Sequence, residues 1–248
     1  MIVGGTVLTV IHTNDLHDRL TGDGAAALAQ ARSDAGSNAL LLDAGDAIGA
    51  GNITYRPDGE PILALMTNAG YDAMAVGNRE FHFTEAGFRA KLSRATFPVL
   101  CANVRSRRTA RVPCLPSVAL GGQASPRVRL FGLTTPMITD AMAVRHLSAY
   151  VFDDPIVAAA RLAPEWRRSC DVMICISHLG IERDRELARA VPSLDLIVGG
   201  HSHIELPEGE RVAQTLIVHA GSHARRYGTV RIQPAEGRWR MSASLHAL

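Results

Sequence analysis

The chain has 248 residues, a length that suits one large domain, and its 47% hydrophobic content supplies a substantial core. The formal charge is +2, carried by scattered arginines with Lys91 as the only lysine, so there is no basic tract of the kind that grips a nucleic-acid polymer. No apolar run approaches the ~18 residues that cross a bilayer, and Cys101, Cys114, Cys170 and Cys175, which lack CxxC spacing, read as reduced core thiols.

Met1 to Val10 carries neither a basic segment nor a cleavage site and runs straight into the first predicted strand, so a cytoplasmic location and a single domain over 1–248 are expected. In chain order, Val7 to Ile11 reads as a strand, Ala25 to Ala35 as a helix, and Ala39 to Leu42 as a strand. The Gly-rich, polar stretch from Gly49 to Glu60 reads as a long loop. A helix over Pro61 to Ala69 precedes a strand at Ala73 to Val76, and Thr84 caps a helix over Glu85 to Ala95. Strands follow at Val99 to Ala102 and Val128 to Leu133.

Pro155, preceded by the capping candidates Asp153 and Asp154, opens a helix to Ser169. Val172 to Ile176 is then a strand, Arg183 to Val191 a helix, and Leu194 to Val198, Leu216 to Val218 and Thr229 to Ile232 are strands. This βαβ rhythm predicts an α/β fold with a mainly parallel central sheet and helices outside. Towards the C-terminus shorter strands with fewer helices, ending in Trp239 to Leu245, predict antiparallel edges.

Polar residues fall immediately after the strands. Asp15 and His17 follow the first, Asp46 the second and Asn78 the third, while His178 and then His201 and His203 follow two later ones. Ligands of open α/β sheets bind beyond the carboxyl ends of the strands, so five loops are expected to converge. Two carboxylates, one amide and four imidazoles suit Mn, Zn or Fe. Seven ligands are too many for one tetrahedral ion but fit two divalent metal ions that share a carboxylate and clamp the attacking and leaving oxygens of an in-line displacement. Singly, each of these residues has an ordinary reading as a cap, a turn former or a core histidine, but five ordered strand ends do not arise from capping alone.

The segments HTNDLH at His12 to His17, DAGD at Asp43 to Asp46, YDAMAVGNREF at Tyr71 to Phe81, SHLG at Ser177 to Gly180 and GGHSH at Gly199 to His203 resemble the calcineurin-like metallophosphoesterase superfamily, in particular its 5′-nucleotidase branch. The resemblance runs from about Val7 to Ile232. It implies a four-layer α/β sandwich with a mixed, mainly parallel central sheet, and hydrolysis of a phosphomonoester by a metal-bridging hydroxide. It implies Asp15, His17, Asp46 and His203 around one metal and Asp46, Asn78, His178 and His201 around the other. The expected substrate is a small phosphorylated molecule such as a nucleotide, with neither a nucleic-acid polymer nor a membrane as partner.

Two departures from that pattern carry expectations of their own. Where the family has a histidine and, three residues on, an aspartate, this chain has Arg79 and His82. Arg79 is expected to stabilise the phosphoryl oxygens and His82 to protonate the leaving group. The base-sandwiching C-terminal domain of the nucleotidases is not expected here, which leaves Tyr55 as a candidate platform. Two rivals remain open: a phosphodiesterase acting on, for example, a 2′,3′-cyclic nucleotide, and a non-catalytic metal-binding module.

Other residues read as structural. His12 is a core histidine, Trp166 and Trp239 cover core edges, and Arg105, Arg107, Arg108 and Arg111 form a solvated loop. His219 and His223 divide evenly between a place beside the site and the surface, and Arg225 and Arg226 read as a solvated pair.

Overall fold

The computed structural model describes residues 7–107, 109–122, 125–235 and 238–248, so Met1 to Thr6 and Arg108 lie outside the described residues. The first half of the chain forms β1 (Leu8–Thr13), α1 (Gly22–Asp34), β2 (Ala39–Asp43), α2 (Pro61–Ala69), β3 (Ala73–Ala75), α3 (Glu85–Leu92), β4 (Val99–Leu100), β5 (Val104–Ser106), β6 (Ser117–Gly122) and β7 (Ser125–Thr134). The second half forms a 3-10 turn (Ala143–Leu147), β8 (Tyr150–Phe152), α4 (Pro155–Arg167), β9 (Val172–His178), α5 (Ile181–Ala190), β10 (Leu196–Gly199), β11 (Glu210–Val212), β12 (Thr215–Val218), β13 (Arg226–Ala235) and β14 (Arg238–Ala247).

Side-chain caps mark the starts of α1, α3 and α4. Thr84 Oγ1 accepts from Gly87 N at the head of α3, and Asp154 accepts from the Ile156 and Val157 amides at the head of α4. Pro61 and Pro155 occupy first-turn positions whose N–H would have no partner, and α2 ends on Gly70 in the left-handed region.

The strands divide between two six-stranded sheets, ordered β14-β13-β1-β2-β3-β4 and β11-β12-β10-β9-β7-β6, with β5 and β8 as a separate ribbon. Within the first, β1 to β4 run parallel and β13 is antiparallel to β1; within the second, β7, β9, β10 and β12 run parallel between antiparallel edges. The sheets pack face to face, and alternation along each strand feeds two cores at once. Val10, Leu42, Leu130, Ile174 and Val198 fill the space between the sheets. Their neighbours Ile11 and Leu41 face α1 to α3, whereas Phe131, Cys175 and Ile197 face α4 and α5. The result is the expected four-layer α/β sandwich, and strands buried on both faces explain the near-continuous apolar runs.

The C-terminal strands correct one expectation: β13 and β14 are ten residues each, forming a long antiparallel hairpin rather than short elements. All four cysteines are buried and free. Trp166 packs at a tilt against Phe131 and the Trp239 indole donates to Asp171 O, so both cover core edges. Arg105 pairs with Asp153 and Asp140.

The sheets approach closely at Gly132, where an added Cβ would stand 2.2 Å from Leu100 O in the opposite sheet. Gly132→Ala is therefore expected to destabilise the fold by roughly 1–3 kcal/mol, read as a lowered urea midpoint. Burial, and then the nearby His219, push the His12 imidazole from 6.5 down to about 3. Between those values the unfolded chain holds a proton that the folded one lacks, so this contribution is fully favourable above the unfolded value and stability falls as pH drops towards 3. In EDTA, His12→Gln should remove about 2 kcal/mol of the stability change between pH 7 and 5.

Candidate metal centre

The carboxyl ends of β1, β2, β3, β9 and β10 bring the seven predicted ligands to one rim. Asp15, His17 and His203 offer donor atoms that all lie within 4.8 Å of one another, and so do Asp15, Asp46 and His178. His203 Nε2 stands 3.2 Å and His17 Nε2 3.8 Å from Asp15 Oδ1, and the two imidazole nitrogens are 3.1 Å apart. On the other side His178 Nε2 is 3.4 Å from Asp46 Oδ1 and 3.2 Å from Asn78 Oδ1, with the His201 ring 5.1 Å from that of His178.

The donor atoms are held by contacts on their far sides. His178 Nδ1 lies 2.7 Å from Ala44 O, an arrangement that makes Nδ1 the protonated nitrogen and turns the Nε2 lone pair into the site. Asp15 Oδ2 accepts from Asn14 Nδ2 and the His201 amide, leaving Oδ1 buried without a hydrogen-bond partner. A buried carboxylate oxygen that faces two imidazole nitrogens and no donor is suited to a cation. Burial and then Arg79 lower the His17 pKa, and burial and then His178 lower that of His201, which keeps both rings neutral and their lone pairs available. Burial opposes charge on His178 as well, but the hydrogen bond and charge of Asp46 prevail and raise it to about 9, so a cation must displace that proton.

Backbone strain marks the same residues. Asp15, His17, Asp46, His201 and His203 have φ between 49° and 72°, a region that side-chain-bearing residues seldom occupy. Each such residue costs on the order of 1 kcal/mol or more and persists where its surroundings over-determine it, commonly at functional sites. Glycines make the close approaches: a Cβ on Gly200 would sit 3.0 Å from Ala44 O and 3.1 Å from both Asp15 Oδ2 and His178 Nδ1.

Arg79 lies at the site, its Nε 3.5 Å from Asp46 Oδ2, its amide donating to Asp46 Oδ1 and its guanidinium to Gly49 O. His82 does not join it. Its ring is buried between Tyr55 and Phe83, with Nδ1 accepting from the Thr84 amide at the head of α3, so the expected Arg79 and His82 pair is not assembled. Tyr55 packs edge-on against that ring. His219 is fully buried with Nε2 2.9 Å from Asp184, so it is not a surface residue. His223 is exposed at the rim, its ring 5.1 Å from that of His17. Arg226 pairs with Glu205.

Three supporting residues escaped the sequence reading. Glu80, fully buried, accepts from the amides of Asp46, Ile48 and Gly77 and so fixes the two loops that carry Asp46 and Asn78. Asn14 bridges Asp15 to Ala220 and Gly221, bringing the loop after β12 in as a sixth contributor. Lys91 reaches from α3 to donate to Gly51 O at 2.7 Å, Arg79 O at 2.5 Å and Phe81 O at 3.3 Å. Its status as the lone lysine was the one available signal.

A family model described as calcineurin-like phosphoesterase matches residues 8–205. A 5′-nucleotidase of Rattus norvegicus is 31% identical over 236 residues, covering 82% of this chain and 39% of the relative. Protein UshA of Yersinia enterocolitica is 31% identical over 221 residues, covering 79% and 40%. The crystal structure of a 5′-nucleotidase precursor from Thermus thermophilus superposes with a TM-score of 0.78 at 26% identity, over 98% of this chain and 55% of that one. The chain thus spans about two fifths of the length of the curated relatives it matches.

Lys91→Met would strip three carbonyls, one of them in a buried contact and two part-buried, of a charged donor. It is expected to destabilise the protein by roughly 1.5–3 kcal/mol in urea unfolding, and to speed hydrogen exchange selectively in the 49–53 loop.

Proposed function

The chain belongs to the calcineurin-like phosphoesterase family, and from that membership we propose that it hydrolyses a phosphomonoester with two divalent cations, its substrate being a small phosphorylated molecule such as a nucleotide. The observation that carries this reading is the donor set: two carboxylates, an amide and four imidazoles at one rim, with Asp15 Oδ1 buried and facing imidazole nitrogens. Asp15, His17, Asp46 and His203 would hold one ion and Asp46, Asn78, His178 and His201 the other, Mn, Zn and Fe being the metals such donors suit. Once bound, a cation pair acidifies water towards neutral pH and offsets charge on the phosphoryl oxygens.

The chain's own residues supply the rest. Arg79, half-exposed and tethered at Gly49 O, directs its positive charge to the phosphoryl oxygens. Glu80 and the Arg79 amide hold the Asp46 loop and carboxylate in place while charge shifts at phosphorus. With His82 turned into α3, the leaving oxygen takes its proton from the open side of the rim. There His223 is the imidazole outside the ligand set whose ring touches it, among the described residues.

Phosphate release from p-nitrophenyl phosphate should depend on added metal, stop in EDTA and exceed turnover of the bis-ester; the reverse preference would favour a diesterase. Asp46→Asn is expected to abolish turnover and lower bound metal together, and a fully metallated, active variant would contradict the assignment. Arg79→Ala should keep its metal while kcat falls roughly 10²-fold or more; unchanged kcat would remove Arg79 from the mechanism.

A further inference from the structure

Among the described residues, most of the large exposed hydrophobics lie in two segments that follow the loops of Asp46 and Thr135 in the chain. Ile53, Tyr55, Met142, Val144 and Leu147 come from two short segments, and among the described residues the other large exposed hydrophobics are Leu115 and Val157. Ile53 and Leu147, each 74% exposed, edge a cavity of about 290 Å³ that Phe81 and Phe83 also line and to which Asn52 contributes the one polar side chain.

All three walls leave the rim itself. The first, 49–53, follows Asp46 and receives the Arg79 guanidinium at Gly49 O; the second, Phe81 and Phe83, follows Arg79. The third starts at Thr135, whose hydroxyl donates to His178 O at 2.9 Å. Lys91 ties the first two walls together through Gly51 O, Arg79 O and Phe81 O, which fixes the cavity relative to Arg79.

We infer that this cavity receives the leaving group of the site's own substrate, and that this group is a carbon-rich alcohol, aromatic or aliphatic, rather than a bare polyol. The inference rests on the phosphomonoesterase reading. A polyol would bring hydroxyls to a wall that offers them one amide, whereas an apolar body removes its own surface and that of Ile53 and Leu147 from water together. Clustered exposed apolar surface marks a contact site, and an apolar recess with one convergent polar group is the form small-molecule sites take.

The test compares kcat/KM for 2-(1-naphthyl)ethyl phosphate and glycerol 3-phosphate with manganese-loaded protein. Both release aliphatic alcohols, so intrinsic reactivity does not bias the comparison. Binding of 2-(1-naphthyl)ethanol alone is followed by its fluorescence. The wild type should prefer the naphthyl ester at least tenfold and bind the alcohol. Ile53→Asp and Leu147→Asp, both at exposed positions, should each cut that preference at least tenfold and weaken alcohol binding, and Val157→Asp on α4 should alter neither. Equal use of the two esters, a preference untouched by both rim variants, or failure of the alcohol to bind overturns the inference; the last outcome is the one expected if further polypeptide covers this surface. If neither ester is hydrolysed while the alcohol still binds the wild type and not Leu147→Asp, the hydrolytic reading falls and the cavity stands as an apolar-alcohol site.

Discussion

Electron pairs pointed at one another from the ends of five strands are the constraint on which this structure depends. Asp15 Oδ1 has no hydrogen-bond donor, two imidazole nitrogens stand within 4 Å of it, and five of the seven ligand residues adopt left-handed backbone angles to arrive there. Such an arrangement is unfavourable alone and becomes favourable around cations, whose charge offsets both the crowding of donors and the local strain. The surrounding contacts follow from that need. Ala44 O orients His178, Glu80 ties down the loops of Asp46 and Asn78, and Asn14 anchors Asp15 to the turn after β12.

The sandwich makes the rim possible because neither sheet owns the site. β1, β2 and β3 deliver Asp15, His17, Asp46 and Asn78, while β9 and β10 deliver His178, His201 and His203. The halves meet only if the sheets approach closely at their carboxyl ends, and glycines permit it: a Cβ at Gly132 would collide with Leu100 O of the opposite sheet, and one at Gly200 would press against Ala44 O in the loop after β2. Stability of the inter-sheet core and competence of the site are therefore coupled through the same few close contacts.

Much of this was legible in the residues. Apolar runs of strand length located most strands, the cap signals at Thr84 and Asp154 located two helix starts, and the polar residues after the strands converge as the parallel topology requires. The division into two sheets came from the family resemblance and not from the strand pattern, since burial on both faces gives the same run whether the second face meets a helix or another sheet. The short edge strands β6 and β11 lack a strong apolar pattern, being paired on one side and solvated on the other. His82 shows the limit of arguing from spacing: three residues from Arg79 it occupies a plausible position, yet the head of α3 and the rings of Tyr55 and Phe83 claim its side chain. Glu80 and Lys91 act through backbone groups distant in sequence, and that kind of role leaves no local signature.

The central claim is that these seven side chains grip a pair of cations. Crystals grown with manganese and measured at its absorption edge test it directly. The account predicts two anomalous peaks roughly 3.5–4 Å apart, one on either side of the Asp46 carboxylate and each within bonding distance of the histidines assigned to it. A single peak, peaks remote from Asp15 and Asp46, or none at saturating metal would contradict it.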